Sequence, residues 1–338
     1  MKKKHLFSFI ILFLTSSVFY TVKAQSIISL QQGKPSSIRG LSVVNNNIAW
    51  ISGSKGYIAI TINGGKDWVW SQVKGYEHSD FRDIEAFSDK EAVIMSSGTP
   101  ALVLKTTDGG INWKVKYSNP DSAYFFDAMD FSDRRHGYIL GDPIHNKFLL
   151  METIDGGDTW HSFKNIPDAI AGEASFAASG TCLRAEKNRI TIITGGGTSR
   201  ELAWVSDTWL TTTLPFPHQK QSQGGFSAAS NGKVEIFVGG DYANNKRADS
   251  VACLITYDNN APALVFPQTS PSGFQSCVEL VSGNIFLSTG TPGTYITNNG
   301  GQNWTKIDDT SYNVCRRAKH GKLVLLAGDA GKIGILKL

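Results

Sequence analysis

One eight-residue turn occurs four times in this chain: TINGGKDW (61–68), TTDGGINW (106–113), TIDGGDTW (153–160) and TNNGGQNW (297–304). Each reads Thr, any residue, Asp or Asn, two glycines, two variable residues and Trp. A motif recurring at the period of one small β-sheet describes a fold made by radial repetition of such sheets. The composition of the turn follows from its geometry. The side-chain oxygen of Asn63, Asp108, Asp155 or Asn299 folds back onto nearby backbone N–H groups and closes a hairpin loop. The glycine pairs supply positive φ without a Cβ clash. Trp68, Trp113, Trp160 and Trp304 open the next strand and pin the turn to its own sheet with a large apolar surface. Turn chemistry accounts for all of these residues, so they are read as structural rather than catalytic.

Each turn closes a four-strand pattern. The first copy is IRGLSVV, NIAWISG, YIAIT, the turn and WVWSQV (38–73); the second covers 81–117 and the third 125–163. The fourth (175–215) and fifth (226–267) have lost the turn but keep the rhythm, and the sixth (274–308) regains it. The last piece, YNVCRRA, LVLLAGD and KIGILKL (312–338), supplies only three strands. A sheet short of its outer strand exposes an edge, and SIISLQQ (26–32) lies free before the first copy to fill it. Six complete units and one shared between the two ends, at ~45 residues each, predict an all-β, seven-bladed β-propeller closed by the N-terminal strand.

Residues 1–24 read as an export signal: Lys2, Lys3, Lys4 and His5, then an apolar stretch from Leu6 to Tyr20, then Val22-Lys23-Ala24 at the cleavage positions. The expected domain organisation is a signal peptide over 1–24 and a single propeller over 25–338. The expected location is the periplasm or the extracellular space, without membrane insertion. Losing Lys2, Lys3, Lys4 and Lys23 leaves 29 basic against 29 acidic residues, so the formal +4 belongs to the signal. A neutral remainder gives no reason to expect a nucleic-acid partner.

The four T-x-[DN]-G-G-x-x-W turns carry the BNR or Asp-box signature, shared by sialidases and many unrelated propellers. The wider register, in SIRGLSVV (37–44), DFRDIEAF (80–87) and GEASFAASGT (172–181), resembles exported bacterial proteins similar to the photosystem II stability/assembly factor. Members often carry loose labels such as oxidoreductase or glycosyl hydrolase. The resemblance implies a propeller that holds a partner polypeptide.

Innermost propeller strands line a central channel, so their polar residues form the candidate site. The ligand-binding set is Arg39, Arg82, Asp83, Asp127, Asp142, Glu173 and Asp241. Asp130, Arg184, Arg316 and Arg317 lie in or beside the same strands, and Asp142, Asp241 and Asp329 each follow a glycine that closes a second strand. Arginines and carboxylates converging on one funnel suit an anionic peptide terminus or a sugar acid; mutual ion pairing is the competing reading. A sialidase-type glycoside hydrolase is the alternative function. That family places an Arg in the first inner strand, which Arg39 matches, and uses a Tyr nucleophile activated by a Glu, roles open to Tyr312 and Glu173. Arg184, Arg247, Arg316 and Arg317 are available to clamp a carboxylate. Residues 38–40 read IRG, however, where that family has RIP, and its propellers have six blades. A two-carboxylate glycosidase would draw on Asp83, Asp127, Glu173 and Asp241.

Other chemistries lack their signatures. No G-x-G-x-x-G links a strand to a helix, and H-E-x-x-H, C-x-x-C and G-x-S-x-G are absent, so neither cofactor nor metal is expected. Cys277 and Cys315 each stand 13 residues before a strand-closing glycine (Gly290, Gly328), and Cys182 stands likewise before Gly195. A Cys277–Cys315 disulfide across adjacent inner strands is one reading, and small buried apolar residues is the preferred one. The expected function is an exported, non-catalytic binding or assembly module that recognises a protein or an anionic or carbohydrate ligand at the channel rim.

Overall fold

Short runs rich in Val, Ile, Leu and Phe, buried on both faces, require sheets stacked face to face. The computed structural model, which describes residues 25–258 and 261–338, has this arrangement; the expected signal peptide lies outside the described residues. The described residues form seven antiparallel sheets, one per blade, and that of blade 5 also takes in Glu173–Ala174 and Gly195–Gly196 from the blade 4 stretch. Blade 1 comprises Ile38–Val43, Ala49–Gly53, Tyr57–Thr61 and Val69–Gln72. The inner strands of blades 2 to 7 are Phe81–Ala86, Phe126–Phe131, Leu183–Glu186, Gln223–Ser230, Gln275–Ser282 and Val314–Arg317. Among the described residues, no helix is long and apolar enough to cross a membrane.

The core lies between blades rather than inside any one of them. Separate apolar clusters join blade 1 to 2 around Trp50 and Phe81, 2 to 3 around Met95 and Phe126, and 5 to 6 around Ile236 and Phe286. Another gathers blades 3, 4 and 5. The largest joins blade 7 to both 6 and 1 through Val314, Leu326, Leu287, Ile38 and Ile51, and so closes the circle. Ser26–Gln31 supplies the outer strand of blade 7, antiparallel to Ile333–Lys337 with Ser26 opposite Lys337 and Ile28 opposite Ile335. The shared final blade expected from the repeat count is present.

The Asp-box turns do more than close hairpins. In all four, the Thr hydroxyl accepts the N–H of the second glycine at 3.0 Å and reaches the Asp or Asn Oδ1 at 2.8–3.0 Å. That second glycine abuts the preceding blade: a Cβ on Gly301 (φ +87°) would lie 2.5 Å from Leu254, and one on Gly157 2.9 Å from Val93. The tryptophans likewise sit in the seams between blades. Trp113 meets Trp50 edge-on at 6.4 Å, and Trp160 shares an apolar cluster with Val93 and Met95 of blade 2. The turn therefore pins its blade to a neighbour, where the sequence pattern indicated only its own sheet.

One segment departs from the repeat. The inner strand of blade 4 was expected to begin at Ser175, but only Leu183–Glu186 is strand, and 175–182 leaves the sheet. Gly180 adopts φ +69°, outside the extended region, with Asp83 so close that a Cβ would fall 2.1 Å from its Oδ2.

Deleting residues 25–32 should strip blade 7 of its outer strand and expose the Ile333–Lys337 edge. The expected outcome is a lower Tm and concentration-dependent aggregation by light scattering. An unchanged melting curve would show that the terminal ladder does not hold the ring closed.

Candidate binding site

A repeated backbone irregularity builds the site. The ladder between first and second strands slips by one residue at the same place in five blades, between Ile38 and Gly40, Phe81 and Asp83, Phe126 and Ala128, Gly225 and Ser227, and Gln275 and Cys277. The extra residue of such a bulge is unpaired and its side chain is re-aimed. Those residues are Arg39, Arg82, Asp127, Phe226 and Ser276, and all five line one cavity of about 450 Å³ at the channel mouth. Asp142, Asp329 and a wall of aromatic rings complete it.

Segment 175–182 crosses the channel beneath this mouth as a plug. Arg39 Nη1 donates to the Ala178 carbonyl (3.2 Å) and Arg82 Nη1 to the Ala177 carbonyl (3.4 Å). Ser175 N–H donates to Asp142 Oδ1 (3.2 Å). Ser179 Oγ donates to the Ser276 carbonyl (2.7 Å), and Thr181 meets Ser227 Oγ at 2.6 Å. Blades 1, 2, 3, 5 and 6 thus each hold it by at least one hydrogen bond. Its Phe176 stacks flat on Phe226 (centroids 3.8 Å, planes 6° apart), with Phe274 edge-on to Phe226 at 4.7 Å and Tyr242 at 6.2 Å.

The mouth carries both signs of charge. Its cations are Arg39 and Arg82. Burial, then the neighbouring Arg82 charge, disfavours the Arg39 cation and lowers its pKa, which makes the spot receptive to an anion. Among its carboxylates, Asp127 and Asp142 are both pushed above the usual carboxylate range, chiefly by burial and, for Asp127, also by Asp142. Asp127 Oδ2 is buried without a hydrogen-bond partner among the described residues.

The opposite mouth, with a cavity of about 560 Å³, is ion-paired. Arg184 binds Glu279 at 3.0 Å, Lys319 binds Glu85, and Asp130 accepts the Ala185 N–H at 2.8 Å. Arg316 is held firmly charged there against burial by Glu279, Asp130 and Asp83. The competing reading of mutual ion pairing describes this mouth well.

Of the sequence candidates, Arg39, Arg82, Asp127 and Asp142 converge. Asp83, Glu173 and Asp241 do not line the cavity. Asp83 lies between the plug and Arg316, accepts the Met129 N–H (2.8 Å), and is raised to about 7, mainly by burial. Glu173 has a fully buried side chain whose oxygens take Arg200 Nε (2.9 Å), Arg200 Nη2 (2.5 Å), Thr194 Oγ1 (2.6 Å) and Ile170 N–H (2.8 Å). Asp241 caps the short 3-10 helix Tyr242–Asn244 and accepts from Gln223 Nε2. Tyr312 is buried in the seam of blades 6, 7 and 1. Arg184, Arg316 and Arg317 belong to the opposite mouth, and Arg247 pairs with Asp249 at the surface. All four cysteines are buried free thiols, with Cys277 and Cys315 sulfurs 3.7 Å apart. The aromatic wall was missed, although Phe125, Phe176, Phe226 and Phe274 each stand near the head of a repeat copy.

Two measurements separate structural carboxylates from ligand-binding ones. Glu173→Gln leaves Arg200, 12% exposed, without its countercharge, and should cost about 3 kcal/mol in denaturant unfolding while leaving ligand capture by the surviving fold intact. Asp83 binds its proton more tightly folded (about 7) than unfolded, where an ordinary aspartate titrates at 3.8, so its contribution to stability falls as pH rises through that window and levels off above it. Asp83→Asn removes the decline. The mutant should gain on the wild type by a few kcal/mol between about pH 4 and 7, and parallel stability curves would contradict the assignment.

Comparison with known proteins agrees with this architecture. The family model described as photosynthesis system II assembly factor YCF48 matches residues 25–121. A solved structure of YCF48 bound to D1 peptide is 15% identical over 94% of this chain and 97% of its own, with a TM-score of 0.64. YCF48 from Cyanidioschyzon merolae is 15% identical over 92% and 98%, with a TM-score of 0.63. Virginiamycin B lyase from Staphylococcus aureus is 14% identical over 93% and 100%, with a TM-score of 0.67. No curated protein matches the sequence. At these identities the structural likeness is one of fold, and with the family match it makes the chain an Asp-box, seven-bladed β-propeller similar to the photosystem II assembly-factor family.

Proposed function

We propose that the protein is a non-catalytic binding or assembly module that holds a segment of a partner polypeptide at the plugged mouth. The observation that carries the reading is the convergence of five bulge residues from five blades on one cavity, with two arginines, three carboxylates and an aromatic wall. Fixed charges and rings on a rigid frame recognise an extended peptide without needing to move. The similarity to YCF48, one structure of which holds a D1 peptide, supports a protein ligand. Arg39 and Arg82 suit a carboxylate on that ligand. The basic-then-apolar leader supports export to the periplasm or beyond.

The sialidase-type alternative is less well supported. It needs a Tyr and a Glu within reach of each other beside an arginine cluster. Glu173 is committed to Arg200, Thr194 and Ile170, while Tyr312 is buried in an apolar seam.

Capture of envelope polypeptides by immobilised protein, identified by mass spectrometry, tests the proposal. Arg39→Ala with Arg82→Ala should cut recovery of the specific partner about tenfold with the circular dichroism spectrum retained. Turnover of fluorogenic sialosides, lost on Tyr312→Phe or Glu173→Gln, would replace binding with catalysis.

A further inference from the structure

Three carboxylates line the plugged mouth: Asp329 accepts from Ser37 Oγ and Asn313 Nδ2, whereas Asp127 and Asp142 form no ion pair among the described residues. Arg82, whose charge acts on Asp127, directs its Nε to Asp80 at 2.8 Å and its Nη1 to the Ala177 carbonyl. Asp142 receives only the Ser175 N–H. Asp127 lines the cavity, is 1% exposed, and has no donor to its buried Oδ2 among the described residues. A buried carboxylate oxygen with no partner is costly, and an arriving donor recovers most in such a place. Two carboxylates make too small a set for a metal: among the described residues, no group of three or more His, Cys, Asp or Glu is placed to hold one.

The surroundings narrow the donor. The wall facing the cavity is formed by Phe176, Phe226, Phe274 and the half-exposed Tyr242. Aromatic faces attract cations and bury hydrocarbon.

We propose that this mouth takes a primary ammonium group, with Asp127 and Asp142 accepting its N–H bonds and the aromatic wall holding the apolar group next to it. The ligand is then a peptide bearing a lysine side chain or a free amino terminus beside an apolar residue. This rests on the reading of the mouth as a peptide-holding site and adds the sign of charge that Asp127 and Asp142 select.

Three small probes of one shape test the charge: 2-phenylethylamine, 2-phenylethanol and phenylacetate, titrated into the 25–338 protein while thermal unfolding and ligand-observed NMR are followed. The amine should raise Tm and bind about tenfold more tightly than the alcohol. Equal binding of amine and alcohol, or preference for phenylacetate, overturns the proposal. Asp142→Asn keeps the oxygen that accepts from Ser175, so the fold should persist while the amine's advantage shrinks; an undiminished advantage also overturns it. Because the preference is read first in the wild-type protein, a misfolded variant does not remove the test. Two blocked dipeptides identify the source: H-Phe-Gly-NH2 carries an amino terminus and Ac-Phe-Lys-NH2 a lysine. Binding of either above Ac-Phe-Nle-NH2 supports the proposal, and binding of neither contradicts it. Partner capture that persists with no amine preference would sink this inference alone, whereas an amine preference with no polypeptide captured would sink only the broader reading.

Discussion

Closure of the ring is the constraint on which everything else rests. No blade buries its own faces. Each apolar cluster lies between neighbours, so an open stack would leave two large faces in water. The ladder between Ser26–Gln31 and Ile333–Lys337 completes blade 7 and sets the seam of blades 6, 7 and 1. With the circle fixed, the heads of the inner strands are brought together, and only then do residues far apart in sequence, such as Arg39 and Asp329, share a cavity.

Two local devices turn that geometry into a site. Bulges give up one ladder position in each of five blades and aim the freed side chain at the mouth. The plug then fills the axis, and because blades 1, 2, 3, 5 and 6 hydrogen-bond to it, it ties them to one another across the channel. It also divides the channel into an ion-paired mouth and a mouth with uncommitted carboxylate. Arg39 and Arg82 serve both purposes, supporting the plug carbonyls and presenting charge above them.

The fold was legible because its signals are local. The turn motif, the glycine-closed second strands and the unpaired SIISLQQ each carry their own meaning, and the blade count follows from them. The site was half legible. Arg39, Arg82 and Asp127 were singled out as polar residues of inner strands, and Asp142 as the residue after a glycine that closes a second strand. Glu173 and Asp241 have the same look, yet their partners, Arg200 and the backbone of Ala243 and Asn244, consume them. No repeat position marks partners of that kind, and nothing periodic marks 175–182 as a plug. The aromatic wall was missed for a related reason. A phenylalanine at the head of a strand reads as core until a bulge turns its neighbourhood toward the axis, as at Phe226.

Hydrogen–deuterium exchange on the 25–338 protein, free and with its captured partner bound, tests the central claim most directly. Protection is expected in 175–182 and at the bulges around Arg39, Arg82 and Asp127, with the opposite mouth around Lys319 and Arg317 unchanged. Protection confined to that opposite mouth, or to the outer strands, would contradict the assignment of the plugged mouth as the binding site.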